Sequence, residues 1–423
     1  MANKNNIKKI LKEQISLIKP DEEILTYLKK TTKEFVGLLK EEIEKTKTLA
    51  DVFVGGSFAR GTFVKKYGYD IDIFVRFDWQ YDNLSDPLEK ILKRVCKKLD
   101  FKSERLHGSR DYFRVHIKNT VNYTENQRFS DKKTSPLQEV FYFEVIPITK
   151  IKRPHQERNI TDLTPFHVPY VKRKIKGLED ELRLAKTFCH AQSVYGAESY
   201  IQGFSGYAIE CLIIYYKSFE RMLKELTKVK KGERVVIDIE KYYKKKDEVF
   251  FGLNENKLHS PIILIDPTYK ERNALASLSH ATFERFQKEA REFLKRPSKS
   301  FFIKKGFDLE KIKKRAKKNK AGFIHVRIFT DKQSGDIAGT KLKKFHYLLE
   351  DEVSKYFKLI HHEFHYNGEK SADVYLIAKS KKEIVRIGPP LKMKNHVKEF
   401  KKGHLNTYEK NGFIHAKIKI KFG

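Results

Sequence analysis

Sulfur is scarce in this chain, with three cysteines and three methionines among 423 residues. Cys96, Cys189 and Cys211 lie far apart and without C-x-x-C spacing. That excludes a disulfide framework or a zinc knuckle as the basis of the fold and sets the expected compartment as the reducing cytoplasm. No apolar run reaches the roughly 18 residues a membrane span needs, and the opening MANKNNIKKILKEQ lacks the apolar core of a signal peptide. No membrane partner is expected. Acid is the other shortage, since 55 Asp and Glu face 88 Lys and Arg, a formal +33. The chain is 40% hydrophobic and 13% aromatic, enough to bury a core. So large an excess of positive charge on a foldable chain favours a polyanion, and nucleic acid above all.

What is present reads as a multidomain α+β chain. Helical periodicity runs from about Ile7 to Lys47 and is broken at Pro20-Asp21, with Asp21 the expected N-cap. ADVFVGG and DIDIFVRF read as strands, DPLEKILKRVCKKLD as an amphipathic helix, and DYFRVHIK and VFYFEVIPI as two more strands. The polar stretch between those last two reads as a loop. Helices return in EDELRLAKTFCHAQSVY and SGYAIECLIIYYKSFERMLKEL, the second apolar on more than one face and so central. The C-terminal part reads β-α-β-β, an irregular basic piece, then β, with a hairpin signal at Asn367-Gly368, close to a ferredoxin-like order. Basic clusters recur at KVKKGER, KIKKRAKKNK and GPPLKMKNHVKEFKKGH.

The chemistry concentrates in VGGSFARGTFVKKYGYDIDIFVRF, Val54 to Phe77. Asp70 and Asp72 are i and i+2 on a strand, so both side chains leave the same face. Two adjacent carboxylates repel unless a cation joins them, and Mg²⁺ takes hard oxygen ligands while leaving positions open to phosphate oxygens. An isolated D-x-D is more often a solvent-facing edge pair. Here its context differs. Gly55, Gly56 and Ser57 form a turn after a strand, suited to offering backbone N–H groups and a hydroxyl to a triphosphate. Arg60 adds a cationic fork. Glu144, alone in the apolar run FYFEVIPI, needs a partner and supplies a third acid.

The run G-G-S-x-x-R-G-T followed by D-x-D resembles the DNA polymerase β-like nucleotidyltransferases. Downstream, LTPFHVPYVKRKI, ELRLAKTFCHAQSVYGAESYIQGFSGYAIECLI, IDPTYKERNALASLS and RIGPPLKMKNH together resemble the archaeal class I CCA-adding enzymes, in order and over nearly the whole chain. The resemblance implies a nucleotidyltransferase head over residues 1–155, a helical neck over 156–273, and an RNA-binding body and tail with ferredoxin-like elements over 274–423. It implies that Asp70, Asp72 and Glu144 hold catalytic Mg²⁺, with Glu144 standing where the family usually has Asp. It places Gly56, Ser57 and Arg60 in the triphosphate loop. Thr164 and His167 fall near the incoming nucleotide, Lys186 and Tyr195 on the triphosphate, and Arg272 near the base and RNA phosphate. Nine residues turn an ideal helix about 180°, so Lys186 and Tyr195 share a target only if the helix ends before the tyrosine.

The implied activity is addition of C, C and A to a tRNA 3′ end from CTP and ATP, without a nucleic-acid template and with release of pyrophosphate. The partners are then tRNA and the two nucleotides; a homodimer is left open. A poly(A) polymerase or oligoadenylate-type enzyme would share the head. TPFH, YGAE…GFSGY and GPP argue against both.

Overall fold

The computed structural model describes residues 2–65, 69–108, 110–117, 141–304, 306–332 and 334–419. The polar stretch read as a loop between the third and fourth expected strands lies largely outside them. The chain divides into two compact units, Met1–Lys305 and Gly306–Gly423.

The first unit opens with helices α1 (Ala2–Ile18) and α2 (Glu22–Lys45). Asp21 sits at the N-cap position of α2 but makes no capping hydrogen bond; its carboxylate pairs with Lys65 at 2.6 Å instead. There follow β1 (Ala50–Val54), α3 (Gly56–Arg60), β2 (Tyr69–Phe77), α4 (Ser85–Leu99), β3 (Lys102–Leu106), β4 (Tyr112–His116) and β5 (Phe141–Thr149). They build a five-stranded sheet in the order β1-β2-β5-β4-β3, with β2 and β5 parallel and the other pairs antiparallel. Strand β3, mostly exposed, has no apolar alternation and was not expected.

Alternation decides the faces of this sheet. Tyr69, Ile71, Ile73, Val75 and Phe77 of β2 and Phe143 and Val145 of β5 are buried against α2 and α4. Phe35 of α2 stacks on Phe143 with centroids 4.3 Å apart. Asp70, Asp72 and Glu144, at the intervening positions, are half-buried on the opposite face.

A helical layer follows: α5 (Thr164–Lys174), α6 (Glu179–Ala191), α7 (Gly206–Tyr216) and α8 (Phe219–Leu226). The long apolar helix expected at 205–226 is two helices. Lys217 adopts a left-handed conformation (φ 65°), and Ser218 caps α8 by accepting from the Arg221 amide at 3.2 Å. A small sheet is then made by β6 (Val235–Asp238), β7 (Ile262–Asp266) and β8 (Tyr269–Asn273), with α9 (Lys246–Gly252) between β6 and β7. The last helix of the unit is α10 (His280–Lys295). Its Phe283, Phe286 and Phe293 join one apolar core with Phe188, Phe219 and Phe302. Residues just beyond 274 thus pack with the helical layer.

The second unit contains α11 (Leu309–Lys318), β9 (Gly322–Phe329), α12 (Asp336–Tyr356), β10 (Phe357–Tyr366) and β11 (Ser371–Ser380). The sheet order β10-β11-β9, antiparallel throughout, is a split β-α-β unit, half of a ferredoxin-like arrangement. β12 (Glu383–Pro390), α13 (Lys394–Lys402), β13 (Thr407–Lys410) and β14 (Phe413–Lys419) follow. The last strand does not join the first sheet of this unit: it pairs in a second one, β12-β14-β13. Asn411 and Gly412, both at positive φ, make the tight turn between β13 and β14.

Candidate active site

Two carboxylates on β2 meet a third through strand register. In the parallel β2–β5 pair, Asp70 lies opposite Tyr142 and Asp72 opposite Glu144. Across the next, antiparallel pair Glu144 lies opposite Arg114. One row across three strands therefore reads Asp72, Glu144, Arg114. Arg114 donates to Glu144 Oε1 at 3.1 Å and covers the Tyr142 ring at 4.6 Å. The acids mark their surroundings. Burial first, then the negative charge of Glu144 and Asp70, push the Tyr142 phenol up to about 12. The same two causes, burial and Glu144, raise Tyr112.

The glycine turn presses against this row. The Gly55 amide donates to the Asp72 carbonyl at 2.9 Å. Gly56 is at φ +64°, and a Cβ there would stand 1.7 Å from Asp72 Oδ2. Only glycine brings the loop this close. Ser57 and Arg60 lie on α3, the single helical segment that starts at Gly56. Thr164, at the start of α5, reaches the same loop, its methyl 3.5 Å from where a Gly55 Cβ would be.

Helix α6 is fastened to the loop by a residue the motifs did not single out. Arg183 donates to the carbonyls of Phe63 at 2.8 Å and Gly61 at 2.5 Å. One turn on, Lys186 points at Glu210 of α7, Nζ to Oε1 3.0 Å, and at Thr62 Oγ1, 3.4 Å. Arg60 Nε lies 2.9 Å from the same Glu210 oxygen. Burial pulls the Lys186 ammonium below its ordinary pKa, opposed by Glu210 and, further off, Asp72. Helix α6 ends at Ala191, four residues before Tyr195. Tyr195 instead forms a bridge with Phe204 and stacks on His190, rings 3.7 Å apart. Burial, followed by Glu210 and Asp70, raises its phenol well above the usual range. Lys186 and Tyr195 thus face the same charges although no single helix carries both.

A second acid gathers the remaining residues. Asp266, at the end of β7 and fully buried, accepts from His167 Nε2 at 3.0 Å, Tyr207 Oη at 2.8 Å, the Thr268 amide and hydroxyl at 2.8 Å each, and Arg272 Nη1 at 2.6 Å. Burial alone would raise its carboxyl. Hydrogen bonds and charge from His167 and Arg272 outweigh this and hold it well below the carboxylate range. The His167 ring stacks on Tyr207 at 3.8 Å, and burial lowers its pKa despite Asp266. The site residues therefore form a carboxylate row and two acid-centred clusters, Arg60 and Lys186 on Glu210, His167 and Arg272 on Asp266. Helix α7 supplies Tyr207 to one cluster and Glu210 to the other. Glu210 and Asp266 were missed from sequence, and so was Arg183.

This sheet, with its glycine turn and its acids in register, has the fold of a DNA polymerase β-like nucleotidyltransferase. Residues 36–167 match the family model described as nucleotidyltransferase domain, and 180–303 match tRNA nucleotidyltransferase, second domain. Solved structures agree on the fold alone. A poly(U) polymerase, Cid1, aligns with TM-score 0.51 and 13% identity over 70% of this chain and 98% of that one.

Sequence brings the class closer: the chain is a relative of the archaeal CCA-adding enzymes. It is 42% identical over 243 residues to the CCA-adding enzyme of Nanoarchaeum equitans, covering 57% of this chain and 54% of that protein. It is 32% identical over 290 residues to that of Methanosarcina acetivorans, covering 68% and 56%. The match thus spans little more than half the length of these two relatives.

Proposed function

We propose that the chain adds C, C and A to the 3′ end of tRNA without a nucleic-acid template, from CTP and ATP. The observation that carries this reading is the register of Asp72 beside Glu144, with the Gly55-Gly56 loop packed on Asp72 and Arg60 and Lys186 gathered next to it. In each cycle the RNA 3′-hydroxyl would lose its proton to solvent as its oxygen bonds to the α-phosphorus of the nucleotide, the bond to the bridging oxygen would break, and pyrophosphate would leave.

The donor set fits a divalent metal. Asp70 and Asp72 leave one face of β2 and Glu144 lies opposite Asp72 in the register, an all-carboxylate set whose chemistry suits a hard ion. Asp70, Asp72 and Glu144 would hold it, Mg²⁺ in this reading, and when bound it supplies charge neutralisation and a more acidic attacking hydroxyl. The chain's own residues do the positioning. Ser57, Arg60, Lys186 and Tyr195 would receive the triphosphate. Thr164, His167 and Arg272 would receive the nucleoside, with Asp266 holding the Arg272 fork so that its donors meet the acceptor edges of cytosine and adenine. The basic second unit would grip the A-form acceptor stem through phosphates and 2′-hydroxyls. No helix among the described residues is long and apolar enough to cross a membrane, and the three cysteines are free. Both are compatible with work in a reducing cytoplasm.

The test is extension of a tRNA ending at its discriminator base, with CTP alone, ATP alone or both. Two C's with CTP and a final A once ATP joins is the expected product. Asp72→Ala should abolish addition while tRNA binding persists. A long A ladder independent of CTP would replace this reading with a poly(A)-type polymerase.

A further inference from the structure

The second unit holds a group of side chains that nucleotide addition does not use. His346 and Glu350 are four residues apart on α12, so they share one face of the helix. His362 comes from β10. Ligand atoms of the three lie within 4.8 Å of one another. His346 Nε2 is 2.7 Å from Glu350 Oε1, and His362 Nδ1 contacts the same oxygen.

The strand presents His362 to the helix because of an irregularity. The β10–β11 register shifts between Leu359 and His361. Leu359 before the shift and Phe364 and Tyr366 after it pack in the same core, although strict alternation would part them. The bulge therefore puts His362, in phase with Phe364, on the helix side. It leaves His361 and His365 to the other face, where both contact Glu363.

An ion triad is the simpler account of such a group, but the polar atoms do not close as one. Glu350 Oε1 is buried and has no hydrogen bond of acceptable geometry, although two imidazole nitrogens approach it. Buried polar atoms in native proteins are normally satisfied. His346 is 1% exposed, and its ring is held by stacking on Phe364 at 5.3 Å. His362 is about half exposed, which leaves a way in from solvent.

We propose that His346 Nε2, Glu350 and His362 Nδ1 form a site for a divalent transition metal of the Zn²⁺ type, clamping α12 onto β10. Two imidazoles and one carboxylate suit borderline-soft ions rather than Mg²⁺. Ligands at about 2.0–2.2 Å from a tetrahedral ion sit roughly 3.3 Å apart, and the ligand atoms here lie within 4.8 Å of one another. Three protein ligands leave a fourth position to water.

The experiment uses the full chain, stripped with chelator and returned to excess Mg²⁺, which occupies hard oxygen sites. Co²⁺ titration followed by its visible d–d bands, and Zn²⁺ titration against a chromophoric chelator, should each show one equivalent taken up. His362→Ala keeps the fold, since that side chain is half exposed, and should weaken Zn²⁺ binding by about 100-fold or more. Glu350→Gln should do the same. His365→Ala on the opposite face of the strand, and Asp72→Ala in the head, should leave it unchanged. No stoichiometric uptake, uptake indifferent to His362→Ala, or uptake lost with His365→Ala or Asp72→Ala would each overturn the proposal.

Discussion

Glu210 is the residue whose replacement tests the layout of the first unit most directly. It is 0% exposed, and the two cations on it, Arg60 and Lys186, are 11% and 7% exposed. At an effective dielectric of about 20, each contact near 3 Å has a gross attraction of about 5 kcal/mol. Most of that offsets desolvation of the three charges. Glu210→Gln keeps the shape and leaves two buried cations facing each other, so the net loss should be about 3–5 kcal/mol. The cost should depend on pH with a definite sign. Without Glu210, burial and Arg60 both push the Lys186 pKa further down. A lysine whose folded pKa lies below its unfolded value opposes folding at pH below the unfolded value, and the penalty shrinks as pH rises between the two. The variant should therefore gain stability relative to the parent on the alkaline side, by up to about 1.4 kcal/mol per pH unit. The chain has a single tryptophan, Trp79, and it lies in this unit, so urea unfolding followed by its fluorescence reports the right unit. Lys186→Met combined with Glu210→Gln should recover about 1–3 kcal/mol of the sum of the single losses. A Glu210→Gln variant within 0.5 kcal/mol of the parent, or one whose deficit grows with pH, would refute the paired-charge account.

Gly56→Ala places a methyl against Asp72 Oδ2 at a backbone conformation that costs a non-glycine residue about 1–2 kcal/mol. Extension activity should drop by about 100-fold or more with circular dichroism unchanged; activity within twofold of the parent would contradict the close approach. Asp266 has its pKa depressed by folding, so it contributes stability above the ordinary carboxylate range that is lost as pH falls below about 4. Asp266→Asn should cost about 3 kcal/mol at neutral pH and flatten the acid limb below pH about 4 in the Trp79 assay. An unchanged acid limb would mean that the carboxylate is not stabilised as its hydrogen bonds indicate.

Local signals made part of the site readable and hid the rest. A period-two strand with Asp70 and Asp72 on its polar face, a glycine turn just upstream and a lone Glu144 in an apolar run all lie within short windows, and the sheet register joins them. The break between α7 and α8 was less visible, because Lys217 at positive φ is a conformation its residue type does not announce. Strand β14 alternates cleanly, yet alternation says nothing about which sheet it joins. The clusters depend on partners far apart in sequence: His167 and Asp266 are 99 residues apart, Arg183 and Gly61 122. Even so, Glu210 inside YAIECLII and Asp266 in PIILID are acids in apolar runs just as Glu144 is. An acid in an otherwise buried apolar run must have found cations.

These two acids give α7 a second role. Its composition reads as a central apolar helix, and its burial agrees. Tyr207 and Glu210, one turn apart, make it the shared support of both clusters. A lysine and an arginine waiting on a solvated surface would have to be ordered as a triphosphate arrives, at a cost of about 1–2 kcal/mol for each long side chain. Held on Glu210 and Asp266, the cations are ordered when the protein folds. For the proposed triphosphate role, the buried acids must still leave them residual positive charge. Arg60 and Lys186 bring two positive charges to one negative, and His167 and Arg272 bring at least one to Asp266. The first cluster therefore keeps a net positive charge beside the Gly55-Gly56 loop, where a triphosphate would lie, and the second is close to neutral, which suits an uncharged base.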